Sequence, residues 1–238
     1  MKKLKEIYEG KAKKVYETEK EEYLIVSYKD DATAFDGEKK GKIEGKGAIN
    51  NKLTNHFMMV LEEQGIKTQF VEEISETETI VKRVEIVPLE TIVRNVAAGS
   101  FSKRYGVEEG TVLKTPCFEF SLKNDSLKDP LINCSHVLSL SIATKEEINI
   151  IKNLAFKIND ILKEYLLQFE IKLIDFKLEF GKTKEGEIIL ADEISPDTCR
   201  FWDAKTNEKL DKDRFRRNME KQDYGYNEIY KRILNKKG

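Results

Sequence analysis

The chain has 238 residues, with 42 basic and 43 acidic side chains and a formal net charge of −1; charges that cancel leave no global field toward nucleic acid or a membrane, so any anion site must be a local cluster. Hydrophobic residues make up 39%, enough for one large or two modest cores, but the longest apolar runs fall far short of the ~20 residues needed to cross a bilayer. Cys117, Cys134 and Cys199 are odd in number and widely spaced, and His56 and His136 are the only histidines, which argues against a disulfide framework or a zinc site and fits a reducing cytoplasm.

The N-terminal Met1-Lys2-Lys3-Leu4-Lys5-Glu6 is basic but leads into no apolar stretch, so a signal peptide is not expected. Gly10-Lys11-Ala12-Lys13-Lys14 then lies between Ile7-Tyr8 and Val15-Tyr16, a strand–turn–strand pattern. Glycine lets backbone approach a ligand closely, and lysines two apart in an extended segment share a face. The turn suits nucleotide phosphates without matching the P-loop spacing, and it equally suits a solvated basic hairpin. Residues 23–28 and 79–84 are rich in β-branched and aromatic side chains and predict strands. Between them Ile49, Leu53, Phe57, Val60 and Leu61 recur at helical spacing up to Gly65, and the Gly- and Lys-rich residues 37–47 before them read as a loop.

Residues 87–100 place one arginine, Arg94, in an apolar strand-like run that ends in Ala-Ala-Gly-Ser. A half-buried guanidinium needs an anionic partner. Either a ligand phosphate, with help from Gly99 and Ser100, or a structural salt bridge to Glu90 supplies it. Loops and one short strand, 118–122, follow. Thr144 and Glu147 then form a capping-box pattern, ahead of a stripe of Ile148, Ile151, Ala155, Ile158, Ile161, Leu162, Tyr165 and Leu166 that predicts the strongest helix. A hairpin is expected from Lys172 to Ser195, and helix from Asp211 onward. The whole reads as an α+β protein, with a strand-rich N-terminal lobe (residues 1–84) packed on a larger mixed α/β lobe (residues 85–238).

The hairpin carries the most chemistry. Asp175, Lys177 and Glu179 alternate with Phe176, Leu178 and Phe180, so one face packs and the other is charged. With a two-residue turn at Glu185-Gly186, Glu179 falls opposite Asp192, Lys177 falls opposite Ile194, and Glu193 points to the other face. Two facing carboxylates repel unless a cation lies between them, and magnesium at an ATP site is held in this way. An ordinary amphipathic hairpin with a wet face is the other reading. Just beyond, residues 195–203 gather polar groups around the single tryptophan, and Cys199 has no histidine in a neighbouring motif to make it a nucleophile.

The stretches YEGKAKKVYET, VPLETIVRNVAAGS, FSLKNDSLKDP, LIDFKLEFG, ILADEISPDTCRFWD and LDKDRFR lie between residues 8 and 217. Together they resemble SAICAR synthetase in its single-function bacterial form. The resemblance implies a two-lobed ATP-grasp-like α+β fold. It also implies a magnesium- and ATP-dependent ligase that joins L-aspartate to the carboxylate of carboxyaminoimidazole ribonucleotide (CAIR), through an acyl phosphate, in purine biosynthesis. By the same resemblance Gly10, Lys11, Ala12 and Lys13 hold ATP phosphates with Lys123 assisting, and Lys82 and Val84 meet adenine. Glu179 and Asp192 bind Mg²⁺. Arg94, Ser100 and Arg200 hold the CAIR phosphate, Asp175 and Lys177 face its imidazole and reacting carboxylate, and Arg216 lies near the substrates. The aspartate pocket is not placed. The expected partners are these small molecules, with no nucleic acid or membrane, and a cytoplasmic homodimer is taken from the family alone. A kinase-like phosphotransferase is the rival enzyme class, but the chain has no His-Arg-Asp catalytic loop. A nucleotide-binding regulatory module is the rival outside catalysis.

Overall fold

The computed structural model describes residues 1–34 and 39–235. In chain order its first part contains β1 (Lys3–Glu9), β2 (Lys13–Thr18), β3 (Tyr23–Tyr28), the small hairpin β4 (Asp31–Ala34) and β5 (Lys39–Lys42), helix α1 (Lys46–Glu63), β6 (Phe70–Glu73) and β7 (Glu78–Lys82). Five of these strands form an antiparallel sheet in the spatial order β1-β2-β3-β7-β6. Its β-branched members turn Val15, Leu24, Val26 and Val81 into one small apolar cluster. Residues 39–42, expected as loop, are instead a strand in which Lys42 pairs with Asp31 and Lys40 with Thr33. Their Gly-Lys composition hid it. Residues 37 and 38 of that expected loop lie outside the described residues.

The remainder contains β8 (Glu85–Ile86), β9 (Leu89–Val96), α2 (Gly99–Tyr105), β10 (Val112–Leu122), β11 (Leu131–Ile132), α3 (Cys134–Ser139) and α4 (Lys145–Leu167). It ends with β12 (Ile171–Lys182), β13 (Ile188–Ala191), β14 (Cys199–Asp203), α5 (Asp213–Arg216) and α6 (Tyr224–Leu234). The expected C-terminal helix is thus two helices, and residues 236–238 lie outside the described residues. The second sheet follows the path β11-β10-β9-β12-β13, with β14 and β8 also paired to β12. β10 begins at Val112 rather than near residue 118. Its first half is largely exposed, and Pro116, with no N–H to give, sits in the register break between Val112 and Cys117.

Helix α4 starts at a true capping box: Thr144 N donates to Glu147 Oε2 at 2.8 Å and Glu147 N donates to Thr144 Oγ1 at 3.2 Å. Its buried stripe of Ile148, Ile151, Ala155, Ile158, Leu162 and Leu166 lies against β12 and β9. Ile49, Leu53, Phe57 and Leu61 of α1 join the same apolar cluster, each such burial contributing roughly 1.5–3 kcal/mol. Helix α1 therefore belongs to the early part of the chain but covers the core of the later sheet. The two sheets are also joined by backbone: Gln69 N donates to Leu190 O at 2.9 Å and Leu190 N donates to Lys67 O at 3.0 Å. No described helix is long and apolar enough to cross a membrane.

Candidate active site

Between the five-stranded sheet and the face of β9, β12 and β14 lies a cavity of about 640 Å³. Val15, Leu24, Val26, Val81, Val84 and Ile86 give one wall an apolar surface, while the opposite wall is charged. Every residue given a ligand role by the resemblance lies on these walls; Gly99, also read as a phosphate contact, does not.

At one end, lysines clasp carboxylates. Lys13, from the β1–β2 turn, makes a close ion pair with Asp192 and lies 3.2 Å from Glu193 Oε1. Burial alone would lower the Lys13 ammonium, but the two carboxylates outweigh it and raise it well above the usual lysine value. Lys123 caps Glu179, and Lys177 pairs with Glu90. Burial likewise opposes the Lys177 charge, and Glu90 and Glu179 outweigh it. Lys11 Nζ reaches Asp125 at 2.8 Å, Lys82 Nζ donates to Thr68 O at 2.9 Å, and Gly10 N closes the turn on Lys13 O at 2.8 Å. Burial and the charge of Asp192 push the Glu179 carboxyl up. Burial also acts to raise Asp192, but Lys13 overcomes it and holds that carboxyl below the usual range.

The register that unites these groups differs by one residue from the expected one. Thr183 N donates to Glu187 O at 2.8 Å, so the loop is the three residues Lys184-Glu185-Gly186, with Gly186 at φ +84. This is the bulged three-residue hairpin, whose last position demands a left-handed backbone that glycine supplies. Glu179 consequently pairs with Ala191, not Asp192. Asp192 lies past the end of β13 at φ +59, where strand alternation no longer holds. It and Glu193 both face the cavity, which also corrects the expectation that Glu193 points away.

At the other end is an arginine ladder. Arg94 on β9 and Arg200 on β14 are the cross-strand partners of Asp175 on β12, one on each side. Arg94 Nη1 donates to Asp175 Oδ2 at 2.9 Å, and Arg200 Nη1 donates to both oxygens at 3.0 Å. Arg94 does not pair with Glu90, which belongs to Lys177; its second carboxylate is Glu119, reached by Nε at 2.6 Å. Arg200 Nε donates to Asp213 at 2.9 Å, and Arg216 Nη1 to the same carboxylate at 2.7 Å. Ser100 stands at the start of α2 beside Gly99, whose φ of +54 and missing Cβ are both needed. A Cβ there would lie 2.3 Å from Arg200 Nη2.

Residues 6–233 match the SAICAR synthetase family. The chain belongs to that family. A phosphoribosylaminoimidazole-succinocarboxamide synthase of Lachnoclostridium phytofermentans is 58% identical over 98% of this chain and 99% of its own. Among solved structures, the synthase of the same name from Ehrlichia chaffeensis superposes with a TM-score of 0.95 at 44% identity, covering 98% of this chain and 100% of its own. A SAICAR synthetase in complex with ADP superposes at 0.93 with 51% identity, over 97% and 98% of the two chains. The two-lobed α+β architecture is that of the SAICAR synthetases.

Magnesium fits the clasped end of this SAICAR synthetase cavity. Among the described residues no three His, Cys, Asp or Glu side chains gather into a metal cage. Glu179 and Asp192 alone are nevertheless the number of carboxylates magnesium takes when phosphates complete its shell. Their lysine partners show that the pair already attracts cationic groups. Several wall residues had no assigned role in the sequence reading. Asp197 receives Lys46 Nζ at 2.7 Å on one oxygen and the Tyr226 hydroxyl at 2.6 Å on the other. Burial favours a neutral Asp197, but Lys212 and Lys46 outweigh it and hold the carboxyl well down. Lys212 lies 3.9 Å from Asp197, and burial together with Arg216 and Lys46 lowers its ammonium. Lys46 lies within the stretch 37–47 read as loop but is the first residue of α1, and Tyr226 is 29 residues from its partner, so neither contact had a local signal. The DEISPDTCR and LDKDRFR motifs did contain Asp197 and Lys212 without indicating their use.

Proposed function

We propose that this chain joins L-aspartate to CAIR at the expense of ATP, giving SAICAR, ADP and phosphate by way of an acyl phosphate. The observation that carries this reading is that one strand, β12, brings a lysine-clasped carboxylate and an arginine ladder into the same cavity. That pairing suits a triphosphate at one end and a phosphorylated second substrate at the other. The apolar wall of Val15, Leu24, Val26 and Val81 suits an adenine ring, with Lys82 and Val84 at its edge. Gly10, Lys11, Ala12, Lys13 and Lys123 then hold the phosphates, beneath an N-terminal lobe of residues 1–84 that covers the nucleotide. Arg94, Ser100 and Arg200 hold the CAIR phosphate, and Arg216 supports them through Asp213.

The chemistry follows from these positions. A carboxylate oxygen of CAIR attacks the γ-phosphorus, the bond to the bridging oxygen breaks, and ADP leaves. The aspartate ammonium loses one proton to water, the free amine nitrogen attacks the acyl carbon, and phosphate departs with the electrons of the broken C–O bond, taking up the second proton that the nitrogen sheds. Lys177, kept charged by Glu90 and Glu179, stabilises negative charge on the reacting carboxylate, while Asp175 orients the imidazole side of CAIR through the arginines it holds. Magnesium on Glu179 and Asp192 would neutralise charge on the transferring phosphoryl group. All three cysteines are free, which suits a cytoplasmic enzyme, and a homodimer completes the reading. The test is an assay of ADP and succinocarboxamide product with each substrate omitted in turn. Turnover should require CAIR, and rapid ADP release from Mg²⁺-ATP alone would count heavily against this function.

A further inference from the structure

The arginine ladder is held from behind by a carboxylate that takes no part in the cavity wall. Glu119, on β10, accepts Arg94 Nε at 2.6 Å through Oε2 and Arg104 Nη2 at 3.0 Å through Oε1. Its side chain is only 9% exposed. Arg104 belongs to α2, whose second residue, Ser100, lines the cavity, and the Arg94 guanidinium also lies 5.7 Å from the Phe101 ring of that helix. Glu119 therefore ties the Arg94 fork to the element that carries Ser100. With Nε on Glu119 and Nη1 on Asp175, Arg94 Nη2 has no hydrogen-bond partner among the described residues. Arg200 repeats the arrangement, with Nε on Asp213, Nη1 on Asp175 and, among the described residues, no hydrogen-bond partner for Nη2. Two forks are each fixed at two nitrogens, and each keeps a third for a ligand.

We infer that Glu119 is a positioning residue for the phosphate of the second substrate, acting through Arg94. This rests on the reading of Arg94, Ser100 and Arg200 as the CAIR-phosphate subsite. The sign of the electrostatics separates positioning from a simple field effect. A carboxylate close behind a phosphate site repels the incoming dianion, so if field alone mattered, neutralising Glu119 would tighten binding. A carboxylate that holds the fork has the opposite consequence. Without it, Arg94 must be ordered at the moment of binding, and affinity falls.

The experiment is steady-state kinetics on the intact enzyme for Glu119→Gln, Glu119→Asp, Arg94→Lys and the Glu119→Gln/Arg94→Lys double variant, with thermal melting of each. Glu119→Gln should raise KM for CAIR roughly five- to thirtyfold, the effect of weakening a charge-assisted contact whose amide oxygen can still accept. Its kcat should change by less than about threefold, and its KM for ATP should hold. Glu119→Asp keeps the charge on a shorter arm and should fall between wild type and Glu119→Gln; it carries the comparison if the glutamine variant does not fold. In the Arg94→Lys background, Glu119→Gln should add less than about twofold, because the residue it acts through has gone. A lowered or unchanged KM for CAIR in Glu119→Gln, beside a raised one in Arg94→Lys, overturns the positioning role. Equal losses for all three substrates that track a fall in melting temperature overturn it too. An unchanged KM for CAIR in Arg94→Lys itself overturns the subsite reading, and the inference falls with it.

Discussion

Asp192→Asn and Glu179→Gln each remove one charge from the clasped carboxylates, yet only the first should destabilise the ligand-free protein. Asp192 sits at φ +59, a region that asparagine tolerates, so its substitution adds no backbone strain. What is lost is a charge-assisted bond to Lys13, worth ~1.5–3 kcal/mol. The amide oxygen still accepts, and Glu193 remains 3.2 Å from the ammonium, which leaves a net cost of about 1–2 kcal/mol. At ~2–4 °C per kcal/mol for a chain of this size, the melting temperature should fall by roughly 2–8 °C. Because Lys13 holds the Asp192 carboxyl below its ordinary value, this contribution is present at neutral pH and fades as pH drops through the folded-state value. Glu179 is the reverse case. Burial and Asp192 raise its carboxyl, so its charge costs stability near neutral pH, and Glu179→Gln should leave stability unchanged or raise it by about 1 kcal/mol. Saturating Mg²⁺-ATP at a hundredfold over Kd adds about 2.7 kcal/mol to the wild type; both variants should lose most of that gain and most turnover. Glu193→Gln, which removes a partner of both Lys13 and Ser195, should also impair activity. Thermal melting with and without Mg²⁺-ATP, followed by turnover, checks all of this. Ligand-free shifts of the same sign, or a wild-type nucleotide response in either of the first two variants, would refute the reasoning.

Gly99→Ala forces alanine into φ +54 with its Cβ 2.3 Å from Arg200 Nη2. Beyond a strain of ~1–2 kcal/mol, it should cut kcat/KM for CAIR at least about tenfold while the thermal response to Mg²⁺-ATP survives. Burial and Asp213 push the Asp211 carboxyl up to about 7, so the folded state holds a proton there that the unfolded chain releases, and stability from this group declines as pH rises from about 4 to 7. Denaturant unfolding across that range should show Asp211→Asn gaining on the wild type as pH rises; a constant difference would rule the linkage out. Lys46→Met keeps the aliphatic stem but leaves buried Asp197 without its closest cation, and urea unfolding should report a loss of about 3–5 kcal/mol.

The parts legible in the sequence were those governed by short periods. The stripe of α4 and the alternation along β12 follow from spacing alone, because burial repeats every 3.6 or 2 residues. The register of the β12–β13 hairpin was not legible, since Gly186 serves a two-residue turn or the left-handed end of a three-residue loop equally well. That one-residue difference reverses faces only while the strand continues. β13 stops at Ala191, and Asp192 reaches the cavity by leaving the strand rather than by facing Glu179 across it. The partners of Arg94 were also hidden. Glu90 was the near candidate in sequence, whereas Glu119 and Asp175 arrive from other strands, 25 and 81 residues away. Strand order decides such contacts, and no local pattern encodes it.

Asp175, Lys177 and Glu179 occupy alternate positions of one uninterrupted stretch of β12, paired with β9 through residues 175–178. Extended backbone advances about 3.3 Å per residue, so the ladder end and the clasped end of the cavity stand roughly 13 Å apart on a single rigid ruler. Lys13, by contrast, reaches that ruler from another sheet. A shift of the five-stranded sheet can lengthen or shorten the grip of Lys13 on Asp192, but it cannot change the interval between Asp175 and Glu179. The interval between the two charged ends of the cavity is thereby written into the pitch of one strand, independent of how the sheets settle around it.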